Sequence, residues 1–257
     1  MTTAILGSSG FVGSSLARLV PADEHHSSKT IQQIRGRSFQ TIYVACAPGA
    51  KWLANKEPDQ DAAAIDSIID HLRTVEVEHC VLISTVDVYP KPIDVDERTV
   101  INPAEGHPYG RNRLRLEEEV RRLFRSVSIL RLPGLFGPGL KKNVIFDLLT
   151  NNQVEKIHPG GVFQFYCMDN IANDIATCRA EGMDLVNIST EPISVRELAS
   201  HAFGIDLPDD PGFPPARYDF KSIHADRWSG DRGYLYTKDD VLAEMRSFVL
   251  NERERWR

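Results

Sequence analysis

The apolar positions of the chain follow two periods. A short run, Ala4-Ile5-Leu6, precedes a turn rich in glycine, and in residues 14–20 the side chains of Leu16, Leu19 and Val20 then share one side of a helix. Residues 41–45 and 80–84 are compact apolar runs of strand length. Between them Ile65, Ile68, Ile69 and Leu72 recur at three- and four-residue steps, which predicts an amphipathic helix over residues 62–72. A second such helix is predicted over residues 109–124, where Leu114, Leu116, Val120 and Leu123 stand among Arg and Glu. Residues 127–132 read as the next strand and 185–188 as another, while 195–203 and 238–251 read as helices of a terminal lobe. Strands alternating with helices predict a doubly wound α/β fold with a parallel sheet. The expected division is a sheet domain over residues 1–190 and a smaller lobe over 191–257 that covers a substrate, with 138–163 contributing to it. Residues 207–215 carry four prolines and are expected to be irregular, because proline removes backbone donors.

One interval is too short for a complete fold of this kind. Only about twenty residues, 21–40, separate the first helix from the strand at Thr41, whereas a β-α unit takes roughly 25 or more. A strand and a helix are therefore expected to be missing or vestigial on that edge of the sheet, with His26-Ser27-Ser28 as the remnant of the second strand.

Composition narrows the function. With 257 residues, 42% hydrophobic and 26% charged, the chain can bury one sizeable core. A net charge of −6 argues against a nucleic-acid partner, and Glu252-Arg253-Glu254-Arg255 reads as a solvated helix end. The four cysteines are scattered without metal-ligand spacing and the eight histidines do not cluster, so no metal is expected. No apolar window reaches membrane-spanning length and no signal-like start is visible, which predicts a cytoplasmic protein without a membrane partner.

The candidate chemistry begins at Gly7-Ser8-Ser9-Gly10-Phe11-Val12-Gly13. Each glycine has a physical reason: a tight bend at Gly7, close approach of a pyrophosphate near Gly10, and tight helix packing at Gly13. The helix that follows offers free N–H groups and partial positive charge to phosphates. Ile83-Ser84-Thr85-Val86-Asp87-Val88-Tyr89, Tyr109-Gly110-Arg111-Asn112-Arg113 and the run from Arg131 through Pro133-Gly134 to Gly139 follow in order, and then Phe165-Tyr166-Cys167-Met168-Asp169 and Asn187-Ile188-Ser189. Together these resemble the extended short-chain dehydrogenases, the group of nucleotide-sugar epimerases, dehydratases and reductases, over roughly residues 3–200.

The resemblance implies a Rossmann-like fold, with NAD or NADP held by Gly7, Ser8, Ser9, Gly10, Phe11, Val12 and Gly13, by Ala45, Ala47 and Pro133, and by Tyr109 and Arg113. It implies a catalytic set of Thr85, Tyr109 and Arg113 acting on a small molecule, a nucleotide sugar, and a homodimer built from the helices at Ala62 and Tyr109. A phenol has a pKa of about 10, so Tyr109 needs nearby positive charge to exchange a proton near neutrality. Several residues depart from the pattern. Arg113 stands where the family has lysine, and its planar fork does not reproduce an ammonium. Val86-Asp87 replaces the Asp-Glu of a 4,6-dehydratase, which disfavours dehydration, and Gly134 replaces a common asparagine. No acid marks the end of the second strand, while His25, His26, Lys29, Arg35 and Arg37 lie nearby, which leans towards NADP. Lys51-Trp52-Leu53 either lines the pocket or anchors a surface loop. The rival to an enzyme is a non-catalytic dinucleotide-binding sensor or partner subunit, which Arg113 favours and the retained Thr85 and Tyr109 disfavour.

Overall fold

The computed structural model describes residues 2–208, 212–228 and 230–255. In chain order the elements are β1 (Thr3–Leu6), α1 (Phe11–Leu19), β2 (Glu24–His26), β3 (Ser38–Val44), α2 (Lys51–Lys56), α3 (Pro58–Leu72), β4 (Glu76–Thr85), α4 (Pro108–Leu123), β5 (Val127–Leu132), β6 (Gly134–Phe136), α5 (Val144–Thr150), β7 (Val162–Phe163), β8 (Phe165–Cys167), α6 (Ile171–Ala180), β9 (Leu185–Asn187), β10 (Ile193–Ser194), α7 (Val195–Leu198) and α8 (Lys238–Arg255). They fall into two compact units. One comprises residues up to 91, 99–131 and 169–186; the other comprises 92–98, 132–168 and 187 onward.

The first unit is built on a six-stranded sheet in the order β2-β1-β3-β4-β5-β9. β1 runs parallel to both β2 and β3, and β3 parallel to β4, so these strands end on the same edge. The apolar steps predicted for α3 form its buried face: Ile65, Ile68, Ile69 and Leu72 pack with Ile42, Val44, Leu82, Leu116, Val120 and Ile129. Each such side chain contributes about 2 kcal/mol when fully buried. The short interval behaves as its length predicts. It holds the three-residue β2 and one 3-10 turn, Ile31–Ile34, and β2 is the edge of the sheet. The strand occupies Glu24–His26, two residues earlier than the expected remnant.

Residues 51–56 form a helix rather than a loop. It stops at Glu57 because the next residue is Pro58, which disfavours helical geometry in the residue before it and starts α3 as its first helical position.

In the second unit β6 pairs parallel with β8, and β10 pairs antiparallel with β7. Its core gathers Phe136, Ile145, Phe165, Leu198, Phe203, Val241, Met245 and Phe248. The helix expected over 195–203 begins with a Ser194–Glu197 capping box, turns into a π-helical stretch at Ala199–Phe203, and ends at Gly204 in a left-handed conformation. Part of the proline-rich stretch, Asp209-Asp210-Pro211, lies outside the described residues. Among the described residues no helix is long and apolar enough to cross a membrane.

Candidate active site

The glycine turn joins β1 to α1 and is tied down on both sides. Gly7 N–H and Ser8 N–H both donate to the His26 carbonyl at the end of β2, at 2.7 and 3.1 Å, and Ala45 N–H donates to the Leu6 carbonyl at 2.9 Å. Gly7 has φ +90°, and a Cβ there would sit 2.4 Å from the Ala45 carbonyl oxygen; a Cβ on Gly13 would sit 2.0 Å from the Gly7 oxygen. No larger residue fits at either position without moving backbone. Gly10 differs, because the nearest protein atom to its missing Cβ is 3.4 Å away.

Gly10 is also the N-cap of α1, with no side-chain cap and no acidic residue in the first turn. The leading N–H groups of α1 therefore lack intrahelical acceptors and lie at the positive end of its dipole. An open cradle with free donors fits a dinucleotide pyrophosphate. It lies where the connections from β1 diverge, β2 to one side and β3 to the other, the position at which open α/β sheets bind ligands.

Around the β2 edge, two of the basic residues are already engaged. Arg37 is paired with Glu24, and Arg35 Nε donates to His71 Nδ1 at 2.9 Å. His25 and Lys29 remain exposed.

The second group of candidates meets where β4 ends against the start of α4. Thr85 is the last residue of β4, and its Oγ1 accepts the Asp87 N–H at 3.2 Å, turning the chain. Gly110 lets α4 approach that turn, since a Cβ there would lie 2.1 Å from the Asp87 carbonyl oxygen. Thr85 is thereby brought close enough to Tyr109 to act on its phenol. Burial pushes the Tyr109 phenol above its ordinary value, and Asp87 adds to this; the Arg113 charge, the Thr85 hydrogen bond and Lys51 act in the opposite sense.

Arg113 lies one helical turn on, as the spacing predicts, with its guanidinium carbon 4.0 Å from the centre of the Tyr109 ring. Its two terminal nitrogens are committed within the unit, while Nε is buried without a partner. Nη1 donates to Asp61 and to the Tyr109 carbonyl, and Nη2 donates to the Pro48 carbonyl. Pro48 follows Ala47, so this bond fixes the loop leaving β3. Pro133 follows β5 and belongs to the second unit.

A comparison with known protein families matches residues 23–164, more than half of the chain, to the NAD dependent epimerase/dehydratase family. The chain belongs to that family. The matched span starts after the glycine turn, so the turn's assignment rests on its geometry. Solved structures share the epimerase/dehydratase fold along the whole length. UDP-glucose 4-epimerase from Thermotoga maritima aligns at 14% identity and TM-score 0.73, covering 100% of both chains. dTDP-4-dehydrorhamnose reductase from Clostridium acetobutylicum aligns at 15% and 0.74, covering 98% of this chain and 100% of that one. dTDP-glucose 4,6-dehydratase from Streptomyces venezuelae aligns at 18% and 0.72, covering 100% and 99%. No curated protein matches by sequence.

Against the epimerase/dehydratase pattern, three neighbours of the site stand outside the residues that the sequence singled out. Asp61 is one, and its signal was present: it precedes Ile65 by four and Ile68 by seven, which places a carboxylate on the buried stripe of α3. Asn55 is another, its Oδ1 accepting the Tyr109 N–H at 3.1 Å. His107 is the third, the N-cap of α4, whose Nδ1 accepts the Gly110 N–H at 3.1 Å.

Proposed function

We propose that this chain is an NAD(P)-dependent oxidoreductase or epimerase that acts on a sugar carried by a nucleotide. The observation that carries this is the meeting of Thr85, at the end of β4, with Tyr109, at the start of α4, with Arg113 over the phenol ring, at the same sheet edge as the glycine cradle. The family supports the cofactor class, and the solved neighbours named above are nucleotide-sugar enzymes.

The cofactor supplies or accepts hydride at a carbon of the sugar when bound. The turn residues Gly7 to Gly13 hold its pyrophosphate with backbone N–H groups, beside Ala45 and Ala47. Tyr109 gives or takes the proton at the substrate oxygen, and Thr85 hydrogen-bonds that oxygen. The raised phenol is protonated at neutral pH, which suits a proton donor and so reduction of a carbonyl. Asp87 is ion-paired with Lys51, and Val86 precedes it, so no free acid is supplied for expelling water. The absence of a carboxylate after β2 supports NADP, with His25 and Lys29 as the exposed nitrogen-bearing side chains nearby. Pro133, the homodimer through α3 and α4, the division into sheet domain and substrate lobe, and a cytoplasmic site of action complete the proposal.

The engagement of Arg113 with Asp61 and Pro48 favours the rival, a dinucleotide-binding protein without turnover. Cofactor oxidation across a panel of nucleotide sugars with 4-keto groups separates the two. Turnover that falls by at least about 10²-fold in Tyr109→Phe, with dinucleotide binding intact, supports the enzyme. Undiminished turnover in Tyr109→Phe refutes the assigned chemistry, and silence of the wild type, shown to bind the dinucleotide, favours the rival.

A further inference from the structure

The helix that carries Tyr109 has no lysine to give a mobile ammonium, and its arginine is closed off. The side chains of Arg113 and Asp61 are each 3% exposed and paired with one another, Nη2 is fixed on the Pro48 carbonyl, and Nε is buried without a partner. A different ammonium is held close enough to act on the phenol. Lys51 Nζ lies 2.7 Å from Asp87 Oδ1, with the two side chains 37% and 17% exposed, so this pair opens to solvent where the Arg113 pair does not.

Three contacts bring Lys51 to the reacting group. Asp87 is bonded through its N–H to Thr85 Oγ1, and its carbonyl oxygen lies against Gly110, the residue after Tyr109. Lys51 and Asn55 are one turn apart on α2 and so share a face, and Asn55 holds the Tyr109 backbone N–H. The loop that presents Lys51, residues 48–50, is the one that Arg113 clamps through the Pro48 carbonyl.

We propose that the work of the family's lysine is divided here: Lys51, tethered by Asp87, provides the movable positive charge beside Tyr109, and Arg113 is a positioning residue that holds the loop carrying it. This deepens the proposed function and rests on Tyr109 being the proton-transfer group. The division has a physical logic. An arginine keeps its charge but cannot shift while bound to a buried carboxylate and a carbonyl, whereas a lysine on a four-carbon stem can move between Asp87 and a newly formed oxyanion. Asp87 damps the ammonium at rest, and the two act on the phenol with opposite signs.

The groups facing the phenol are Lys51 from α2, Asp87 from the turn after β4, and His107 and Arg113 from its own helix. The test is the tyrosinate titration of the cofactor-free protein, with the Tyr109 signal assigned by its loss in Tyr109→Phe. Asp87→Asn is expected to move the Tyr109 midpoint down, Lys51→Met to move it up, and Lys51→Arg to restore it. Turnover of a reducible nucleotide sugar is expected to fall by about tenfold or more in Lys51→Met and to recover partly in Lys51→Arg. All three variants are compared at melting temperatures within a few degrees of the wild type; Asn55→Ala, which leaves both charges in place, serves as the control for a merely structural effect on α2. A Tyr109 midpoint and turnover unchanged in both Lys51→Met and Asp87→Asn overturn the inference while Tyr109→Phe still tests the reading beneath it. Equal losses in Lys51→Arg, Lys51→Met and Asn55→Ala also overturn it, because they assign Lys51 to packing.

Discussion

The glycine turn and the Tyr109 site are built by different means. At the turn the backbone does most of the work: Gly7 and Gly13 are fixed by carbonyls 2.4 and 2.0 Å from where a Cβ would stand, and no side chain caps α1. At Tyr109 the backbone only sets the stage, through Gly110, and side chains distant in sequence do the rest: Asp61, Asn55, Lys51 and Asp87. A backbone device has one solution and is written in consecutive residues. A side-chain device has many solutions, so replacing lysine by arginine at position 113 is compensated from other elements.

The largest effect that probes this contrast is at Asp61. Removing the carboxylate leaves Arg113 as an uncompensated charge between α3 and α4, which costs about 3–5 kcal/mol. Urea unfolding of Asp61→Ala measures it. The double change Asp61→Leu with Arg113→Met is expected to recover most of that loss, since apolar residues of similar volume replace buried pairs at little cost. Failure of the double variant to recover would mean that the clamp on Pro48, rather than the ion pair, holds this region together.

A smaller effect contrasts two glycines three residues apart. Gly13→Ala drives a methyl against the Gly7 carbonyl and is expected to destabilise by about 2–3 kcal/mol. A Cβ at Gly10 meets nothing closer than 3.4 Å, at a φ of −80° that any residue adopts, so Gly10→Val is expected to change stability by less than about 1 kcal/mol. The same valine fills the cradle, and the rise in melting temperature that millimolar NADP or NAD produces is expected to vanish. A thermal scan with and without dinucleotide reads both results.

Much of the fold was legible because it follows from local pattern. The stripe of Ile65, Ile68, Ile69 and Leu72 gives α3, and the shortness of residues 21–40 gives an edge at β2. The helix at Lys51–Lys56 was hidden by its length of six residues, too short to show a period, and by the Pro58 that stops it. The site divides the same way. Thr85, Tyr109 and Arg113 lie on a recognisable strand and helix, and the structure brings them together. Their supporting partners are set by how α2, α3 and α4 pack. Of these only Asp61 left a trace, as a charge on an apolar stripe, and Arg113 and Glu117 leave the same trace on α4, where Glu117 is fully buried against Arg131 and Ser84.

The smallest effect concerns His107, where the two means of construction meet in one residue. Its Nδ1 accepts the Gly110 N–H, so the capping ring is neutral with its proton on Nε2, and α4 depends on that form for its first turn. Burial lowers the His107 pKa, Lys51 and Arg111 lower it further, and Asp87 opposes them. A histidine whose folded pKa lies below its unfolded value of about 6.5 supports the fold fully above that value. That support is lost as the pH falls below 6.5, until the lower folded pKa is reached. Acidification from pH 7 is therefore expected to expose the Gly110 amide to hydrogen exchange before the rest of α4. His71 and His79 are shifted in the same direction by burial and contribute to the global loss, so total unfolding does not isolate His107. His107→Asn does, because asparagine caps a helix without titrating and retains the cap's contribution of about 1 kcal/mol. Protection at Gly110 that no longer depends on pH in this variant supports the assignment, and an unchanged dependence refutes it.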